Sequence, residues 1–370
     1  MRKPSNTLFI IFSLQTGGTQ KMMLNVLNEI TLENRKKVLF MYNYYPNPHF
    51  EEVLSKDVVI YTCSSRSWFK HLKRLHILLR IIRKEKIGNI VSFASQGAYL
   101  AILSRKIYFY KKLPIIYRMV SVDAALTTAR NRLMSHINRY IYMNVLCKKV
   151  NIIVSQSIYM TQSLLAQNAK NVSHKIVTIN NLLDTKFIQL KAKEPIEIED
   201  QFFIYVGRLS IEKNITGIIQ AFNKIQYQIK QKLLILGDGA ERNNIEILID
   251  KLNLKSKVIL LGFKDNPYRY IEKATGLILF SEYEGLPNVI LEAMTCNTLC
   301  IVSSFNGADE IISHNINGYI VEKNNIEQLS DAMLKAADES IFKKRLIDNA
   351  NKFVKKLNEK SIHIYQNILS

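Results

Sequence analysis

The feature that most constrains this chain is a regular alternation of short apolar runs with longer segments of helical period. In the first half the apolar runs fall at 7–13, 37–42, 57–62, 89–93, 114–119, 151–154 and 176–179. Helical periods lie between them, at 19–32, 66–86, 97–106, 129–147 and 157–167. Continuous apolar strands separated by helices are typical of parallel sheets that are covered on both faces. The pattern predicts an α/β fold.

The same alternation begins again after a segment of different composition. Residues 186–201 contain Pro195 and a shift towards acidic side chains, which we interpret as a linker. Predicted strands follow at 202–206, 232–236, 257–261, 277–280, 299–302 and 318–321, with predicted helices at 214–227, 240–252, 267–273, 288–295, 307–313, 326–338, 340–356 and 360–369. We therefore predict two doubly wound, Rossmann-like domains facing a central cleft, at 1–185 and 202–345, with C-terminal helices at 346–370 that pack back on the first domain.

Charge is distributed very unevenly between the two halves. Of the 51 Lys and Arg, 28 lie in residues 1–190, together with only 8 of the 31 Asp and Glu. The remaining residues hold 23 basic and 23 acidic side chains, so the whole formal excess of +20 belongs to the first half. Such a split indicates two domains with different partners.

The bulk composition excludes several classes of protein. With 48% hydrophobic and 22% charged residues, the chain can bury ordinary cores and is not a disordered basic tail. Its four cysteines have neither a disulfide framework nor zinc-site spacing, so we expect buried, reduced thiols at Cys63, Cys147, Cys296 and Cys300. No run reaches the roughly 18–20 apolar residues of a membrane span, and 7–14 resembles a first strand more than a signal peptide. We expect a cytoplasmic protein, peripheral on the inner face of the membrane.

Residues 66–86 form a basic helical segment with an aromatic start. The cations and the single Trp of this segment predict contact with an anionic membrane surface, at Trp68, Lys70, Lys73, Arg74 and Arg80. A packed helix with a solvated basic face is the alternative. RNA binding would also use basic and aromatic residues, but no nucleic-acid module is recognisable, so we predict no nucleic-acid partner.

In the second half, the most informative stretch runs from Ser281 to Met294. An apolar strand ends, a Gly/Pro turn follows, and a helix begins, which favours an anion at the helix start. Glu284 and Glu292 are suited to accept hydrogen bonds from hydroxyl groups of a sugar and a ribose. The alternative is that they are acids complementing the helix dipole.

Two earlier strand ends add to this constellation. Arg208 and Lys213 follow the first strand of the second half, where an Arg fork and a Lys point charge suit a diphosphate. Gly237-Asp238-Gly239 follows the next strand, where glycine lets a ligand approach the backbone. A simple turn is the alternative for this glycine motif.

These motifs together resemble a known enzyme family. In order, the chain carries Val206-Gly207-Arg208-Leu209 with Lys213, Gly237-Asp238-Gly239, Glu284-Gly285-Leu286-Pro287-Asn288-Val289-Ile290-Leu291-Glu292-Ala293-Met294, Gly307 with Glu310-Ile311-Ile312, and Asn317-Gly318. The set resembles family 4 of the retaining glycosyltransferases, including its E-x7-E spacing, and it implies the two-domain GT-B fold. Gly17-Gly18-Thr19-Gln20 is similar to the family's glycine loop, and Ile179-Asn180-Asn181-Leu182-Leu183-Asp184 to the motif before its linker.

The resemblance implies roles for individual residues. Arg208 and Lys213 would hold the nucleotide diphosphate and support its departing charge, and Glu284 would contact the donor sugar. Glu292 would bind the ribose hydroxyls. Backbone or loop contacts to the donor would come from Gly17, Gly18, Gly237, Gly285, Leu286 and Pro287. No Asp-x-Asp signature is present, so the resemblance implies chemistry without a metal or another cofactor.

The chain also departs from the family pattern. Cys296-Asn297-Thr298-Leu299 replaces the family's usual Cys-Gly-x-Pro, and Gly307 lacks the following Pro. Many relatives have an acceptor-side His after the strand that corresponds to 114–119, whereas this chain has Arg118 and Asp123 in that region. The His role is therefore not transferred, and either residue could line the acceptor side or simply lie at a strand end or on the surface. A front-face reaction, in which the leaving phosphate takes the acceptor's proton, is what the resemblance implies.

The leading hypothesis is a glycosyltransferase that moves a sugar from a nucleotide-sugar, most simply a UDP-sugar, to a lipid-linked saccharide. Surface polysaccharide assembly, as in capsule, O-antigen or exopolysaccharide, is the pathway that this implies. The alternatives are a nucleotide-sugar 2-epimerase of the same fold and a catalytically inactive membrane adaptor. Both are disfavoured by the intact set of Arg208, Lys213, Glu284 and Glu292.

Overall fold

The computed structural model describes residues 6–13, 17–44, 54–64, 70–107, 113–120, 138, 140–166, 169–338 and 340–370. The chain divides into two compact units, which we call the first and the second unit. The first comprises Met1–Leu182 with Glu359–Ser370, and the second comprises Leu183–Asn358. None of the helices described is long and apolar enough to cross a membrane.

The first unit is built on a seven-stranded sheet in which every neighbouring pair is parallel. The strands are β1 (Asn6–Ile11), β2 (Lys37–Met41), β3 (Val58–Thr62), β4 (Ile87–Phe93), β5 (Ile115–Arg118), β6 (Ile152–Ser155) and β7 (Ile176–Thr178). Their order is β3-β2-β1-β4-β5-β6-β7. The chain therefore reverses its direction of winding between β1 and β4, which is where ligands bind in sheets of this type.

Helices cover both faces of this sheet. They are α1 (Gly18–Glu29), α2 (Lys70–Lys84), α3 (Ser95–Ile107), a π-helical segment (Tyr142–Cys147), α4 (Ile158–Ala166) and a 3-10 segment (Ala169–Lys175). One core lies under α2 and α3 and includes Leu78 and Ile81, and the other lies under α1 and includes Met23 and Leu27. Two buried faces explain why the strands are continuous apolar runs rather than alternating ones.

The second unit repeats the plan with six parallel strands in the order β10-β9-β8-β11-β12-β13. The strands are β8 (Phe202–Val206), β9 (Lys232–Leu236), β10 (Val258–Gly262), β11 (Gly276–Leu279), β12 (Cys300–Ser303) and β13 (Tyr319–Val321). Its helices are α5 (Thr185–Ala192), α6 (Ile215–Ile225), α7 (Arg242–Lys251), α8 (Tyr268–Lys273), α9 (Asn288–Thr295) and α10 (Ile326–Ala337). The winding reverses between β8 and β11.

Local sequence signals set where these helices begin. Asp184, Asn214 and Asn325 each accept a hydrogen bond from a backbone N–H in the first turn of the helix that follows, which satisfies a donor that has no partner inside the helix. Asn214 adopts a left-handed conformation with φ 47°, which Asn tolerates better than most residues. Asn214, which follows the predicted site cation Lys213, therefore fixes where α6 begins.

The segment between the predicted domains is folded. Residues 186–192 of the region predicted as linker belong to α5, and Ile188 and Ala192 are buried in the core of the second unit. The two points where the chain passes between units are adjacent, because Asn358 exchanges two hydrogen bonds with the backbone of Leu183, at 2.9 and 3.0 Å. The acidic residues and Pro195 that suggested a linker all come after this helix.

The C-terminal region differs from the two helices predicted there. A single helix, α11 (Ile341–Leu369), continues through the predicted break and belongs to both units. Its last turns pack on the first sheet, where Tyr365 and Leu369 are fully buried. The Leu369 carbonyl accepts hydrogen bonds from Arg35 and Asn89. These contacts lie far apart in sequence, so the local pattern did not predict them.

Two other predicted helices differ from the structure in length or in helix type. Residues 307–313 were predicted as a helix, but only Ala308–Glu310 is helical, as one 3-10 turn. Of the predicted helix 129–147, the part up to 137 lies outside the described residues, and Tyr142–Cys147 is a π-helix. The predicted cysteine chemistry is confirmed, because Cys63, Cys147, Cys296 and Cys300 are all buried and unpaired.

Arg118, considered as an acceptor-side residue, is fully buried at the end of β5. Its guanidinium donates to the Tyr365 hydroxyl at 2.7 Å, to the Ile179 carbonyl at 3.2 Å and to Asn181 Oδ1 at 2.5 Å. Burial lowers the pKa of Arg118, and the neighbouring Tyr365 opposes that shift. Arg118 thus joins the C-terminal helix to the first sheet instead of lining a surface. Asp123 lies outside the described residues.

Candidate active site

The predicted site of the second unit lies where its sheet reverses its winding. Arg208 and Lys213 follow β8, and Glu284 follows β11, the strand next to it in the sheet. The backbone N–H of Glu282 donates to the Glu212 carbonyl at 2.8 Å and joins these two loops directly. The carboxyl edge of a parallel sheet at its switch point is the usual place for a ligand.

The structure brings together two predicted residues that are 71 positions apart. Lys213 Nζ donates to Glu284 Oε1 at 2.6 Å, and the two side chains are only 16% and 10% exposed. Ser281 Oγ also donates to Glu284 Oε1, at 2.7 Å. Screening by water is reduced at such burial, so this ion pair is stronger than a surface pair. Within the described part of the chain both recorded contacts are on Oε1, which leaves Oε2 able to accept from a sugar hydroxyl.

Arg208 lies on the same edge but is held less firmly. Its guanidinium is 3.3 Å from Glu212 Oε1, and its side chain is 72% exposed. A pair this exposed contributes little to stability, so Arg208 can exchange Glu212 for an incoming anion at low cost. Burial alone would raise the pKa of Glu212, but the nearby Ser210 hydroxyl and its own backbone, with the charges of Arg208 and Lys213, lower it.

Tyr205 supports the loop that carries Arg208. Its hydroxyl donates to the Arg208 carbonyl at 2.9 Å, and the side chain is fully buried. Burial, and then the nearby carboxylates of Glu284 and Glu212, raise the pKa of Tyr205. The phenol therefore stays neutral and keeps its proton for this hydrogen bond. Sequence reasoning missed Tyr205 because a tyrosine in a buried strand carries no functional signal.

Two other contributors were also missed. Ser281 was part of the quoted motif without a role, and Glu212 follows Arg208 by four residues. That four-residue spacing, common for paired charges, was the available signal for Glu212. No such local signal exists for Ser281, because its contact with Glu284 depends on the shape of the loop.

The glycine requirement at Gly237 has a structural explanation. It has φ +139°, and a Cβ there would lie 1.8 Å from the carbonyl oxygen of Gly207. A Cβ at Gly239 would similarly lie 2.2 Å from the Leu209 carbonyl. The loops after β8 and β9 thus pack backbone to backbone, and Leu209 donates its N–H to the Asp238 carbonyl at 2.9 Å. Close packing of these loops accounts for the glycines, and the donor-binding role of Gly237 remains a prediction.

The turn before α9 presents a different glycine. Gly285 has no atom within 4 Å of the position of a Cβ, so open space lies beside it. Leu286 is buried, and Pro287 directly precedes α9. Glu292 lies one to two turns into this helix and is only 5% exposed. Its charge contributes to the raised pKa of Cys296, which burial mainly causes.

The remaining predicted donor residues belong to the first unit. Gly17 immediately precedes α1 in an extended conformation, and Gly18 is the first residue of that helix. Both are exposed. Across the described residues, no group of three or more His, Cys, Asp or Glu side chains is placed to hold a metal ion.

The basic helix α2 only partly matches its predicted membrane role. Lys73 and Arg80 are exposed, whereas Trp68 and the side chain of Lys70 lie outside what the structure describes. Arg74 is 7% exposed, so its predicted contact with a membrane is wrong. The buried face carries Leu75, Leu78, Ile81 and Ile82. Leu72 is 64% exposed, so the face that packs on the sheet includes Arg74 and excludes Leu72.

Comparison with known proteins agrees with this geometry. Residues 186–353 match the model of the family described as glycosyl transferases group 1. The chain is 27% identical, over 85% of its own and of the other sequence, to N-acetylgalactosamine-N,N'-diacetylbacillosaminyl-diphospho-undecaprenol 4-alpha-N-acetylgalactosaminyltransferase of Campylobacter jejuni. It is 23% identical, over 80% of this chain and 78% of the relative, to the Escherichia coli UDP-Gal:alpha-D-GlcNAc-diphosphoundecaprenol alpha-1,3-galactosyltransferase.

Solved structures show the same fold. Anabaena HepE in complex with UDP superimposes with a TM-score of 0.77 at 15% identity, over 98% of this chain and 100% of that one. A glycosyltransferase from Rickettsia africae superimposes with a TM-score of 0.78 at 17% identity, over the full length of both. The predicted fold class is confirmed: two parallel-sheet α/β domains of the GT-B type. Together with the family match over 186–353, these findings support a glycosyltransferase.

Proposed function

We propose that this protein is a retaining glycosyltransferase of family 4 that transfers a sugar from a UDP-sugar to a lipid-linked saccharide. The observation that carries the proposal is the buried ion pair of Lys213 with Glu284 at the switch point of the second sheet, with Arg208 beside it. The group 1 family match spans all three residues. Relatives named for diphospho-undecaprenol acceptors, and a structural neighbour that binds UDP, agree with it.

The cations account for stabilisation of the leaving group. When the bond between sugar C1 and the phosphate oxygen breaks, negative charge develops on the departing diphosphate. Fixed positive groups that meet this charge lower the barrier more than they stabilise the bound donor. Lys213 is held in place by Glu284, and Arg208 is free to form a forked contact with a phosphate. We propose that these two cations act without a divalent metal ion or another cofactor.

The carboxylates fit binding roles. Glu284 Oε1 is occupied by Lys213 and Ser281, so Oε2 is suited to receive a hydroxyl of the donor sugar. The buried Glu292 is suited to the ribose hydroxyls, and the open side of Gly285 lets a donor approach the turn 285–287. Gly17 and Gly18 would contact the donor from the loop before α1.

Retention of configuration restricts the chemical route. A double displacement needs a carboxylate that is free to attack C1. Glu284 is engaged by Lys213, so we propose reaction on the leaving-group face instead. The acceptor oxygen forms its bond to C1 as the C1–phosphate bond breaks, and the acceptor's proton passes to the departing phosphate oxygen. Charges and protons then balance without a separate base.

We propose that the acceptor side of the protein works at a membrane surface. The excess of +20 in residues 1–190, with Lys73 and Arg80 exposed on α2, supports peripheral binding to the anionic inner face of the cell membrane. A lipid-linked saccharide would be met there, during assembly of a surface polysaccharide such as capsule or O-antigen.

The test is a panel of nucleotide-sugars assayed with a diphosphate-lipid saccharide as acceptor. We expect transfer from one UDP-sugar, with release of UDP and with the anomeric configuration of the donor kept in the product by NMR. EDTA should leave the rate unchanged. Interconversion of UDP-sugar epimers without an acceptor would identify a 2-epimerase instead. Absence of turnover with every donor would favour an inactive adaptor.

A further inference from the structure

The first unit contains a buried cation for which the proposed donor chemistry has no role. Arg74 lies on α2, is 7% exposed, and has a buried Nε with no hydrogen-bond partner. Its Nη2 donates to Asn43 Oδ1 at 3.2 Å, and its guanidinium carbon lies 5.4 Å from the centre of the Tyr42 ring. Both recorded contacts are with neutral groups. A buried charge without a partner of opposite sign is costly to keep in a fold.

The residues around Arg74 meet at the carboxyl edge of the first sheet. Tyr42 and Asn43 directly follow β2, and Gln96 is the second residue of α3, which follows β4. The Tyr42 hydroxyl donates to Gln96 Oε1 at 3.4 Å, which connects the two strand ends across β1. Phe12, just after β1, packs edge-on against Tyr42 with ring centres 5.5 Å apart. The cluster therefore lies at the point where this sheet reverses its winding.

The groups left over in this cluster are hydrogen-bond donors. Arg74 offers its buried Nε–H, and the side-chain NH₂ groups of the half-buried Asn43 and the exposed Gln96 add further donors. Tyr42 does not neutralise Arg74, because burial raises its pKa to about 12 and keeps the phenol uncharged, although Arg74 opposes the rise. None of the ion pairs formed among the described residues involves Arg74. Several donors and one uncompensated positive charge suit an anion with several oxygens.

We propose that Arg74, with Asn43 and Gln96, forms a phosphate-binding subsite that holds the phosphate group of the acceptor. The inference rests on the proposed function for the identity of the acceptor, and it gives the first unit a named binding residue. A phosphate group on the guanidinium would supply the missing negative charge. Arg74 is a binding residue for the acceptor and takes no part in bond breaking.

Direct binding tests the subsite without requiring turnover. The full chain, saturated with UDP to fill the donor site, is titrated calorimetrically with inorganic pyrophosphate. We expect Arg74→Gln to weaken binding at least about tenfold, as loss of a hydrogen bond to a charged group implies, and Arg74→Lys to weaken it less. Arg83→Gln, which removes an exposed Arg of the same helix, should leave binding unchanged. Folded Arg74 variants that bind pyrophosphate like the wild type would overturn the proposal.

Competition identifies the source of the phosphate. A diphosphate-lipid saccharide should displace pyrophosphate, and the same saccharide on an uncharged alkyl chain should not. Vesicles of phosphatidylglycerol should not displace it either, and displacement by vesicles would contradict assignment to the acceptor. If Arg74→Gln fails to fold, Arg74→Lys and Asn43→Ala carry the same test. Because pyrophosphate binding is measured without transfer, an inactive protein with Arg74-dependent binding would refute the proposed function and leave the subsite intact.

Discussion

The two units use the same sheet architecture but differ in how they pair the buried cations at the carboxyl edge of the sheet. In the second unit Lys213 is neutralised by Glu284 at 2.6 Å, so its site is electrically balanced before any ligand binds. In the first unit the guanidinium groups of Arg74 and Arg118 contact neutral oxygens and aromatic rings. One fold can therefore prepare an anion site in two ways. In the first, a carboxylate of the protein already neutralises the cation, and in the second, the cation is left for the ligand to neutralise.

The largest effect is expected from removing Lys213, the cation of the second unit that Glu284 neutralises. Lys213→Ala should lower kcat/KM for transfer by about 10²–10³-fold, the range found for loss of one group that stabilises developing negative charge. Glu292→Ala should abolish transfer in the same assay. Lys224→Ala, which removes an exposed cation of the same unit, should leave turnover and melting temperature unchanged. Normal turnover in both site variants would refute the site assignment.

The two glycines near the donor site should separate packing from ligand approach. Gly237→Ala should destabilise the protein by about 2–4 kcal/mol, because the new methyl group meets the Gly207 carbonyl at a strained φ. Gly285→Ala should change stability by less than about 0.5 kcal/mol, as expected for an exposed position with open space, while raising KM for the donor. Denaturant unfolding and donor titration measure the two effects. A stable Gly237→Ala protein would contradict the backbone packing described here.

In the first unit, the structural arginine should behave differently from Arg74. Arg118→Met should lower the free energy of unfolding by about 2–4 kcal/mol, since it leaves the buried oxygens of Tyr365, Asn181 and Ile179 without their donor. Tyr365→Phe removes one of these hydrogen bonds and should cost about 1 kcal/mol. Chemical denaturation measures the loss in the free energy of unfolding of each variant. An equal loss in the two variants would show that Arg118 is not the centre of this network.

Alkaline pH should affect both units in the same way. Burial is the main cause that raises the pKa of Cys147 in the first unit and of Cys296 in the second to about 12. An unfolded thiol ionises near pH 8.5, so stability is fully present below that pH and falls by about 1.4 kcal/mol per pH unit per thiol up to about pH 12. Unfolding curves between pH 7 and 11 measure the slope. Cys296→Ala should reduce it, and an unchanged slope would contradict this origin.

The smallest expected effect concerns the membrane surface. Lys73→Gln and Arg80→Gln should each weaken binding to anionic vesicles by about 1 kcal/mol at low salt, roughly fivefold. Lys224→Gln in the second unit is the matched control and should bind like the wild type. Salt should weaken binding of all these proteins. If flotation at low salt detects no binding of the wild type, the membrane proposal fails.

Much of the fold could be predicted from the sequence because its signals are local. Continuous apolar runs located the strands of both sheets, and residues that follow parallel strands, such as Arg208 and Glu284, lie at the same edge of the sheet. The contact of Lys213 with Glu284 follows from that geometry, but its 2.6 Å ion pair depends on loop shape. The functional role of Lys213 and Glu284 was inferred from the family resemblance.

The remaining features depend on contacts between distant segments. Arg74 was predicted on the membrane face because helical periodicity leaves the buried face uncertain by one position, and packing on the sheet decided it. The unbroken helix α11 is stabilised in its last turns by Arg118 and Arg35, which lie more than 200 residues away in sequence. Gly237 is required because the carbonyl of Gly207, in a neighbouring loop, leaves no room for a Cβ. None of these causes is visible in a window of sequence.

The most direct test of this account is a calorimetric titration of the full chain with UDP, comparing Lys213→Ala with Arg74→Gln. If the donor diphosphate binds the balanced site of the second unit, Lys213→Ala lowers UDP affinity at least about tenfold. Arg74→Gln should then bind UDP as tightly as the wild type. Unchanged UDP affinity in Lys213→Ala, or a comparable loss in Arg74→Gln, would contradict the division of roles between the two units.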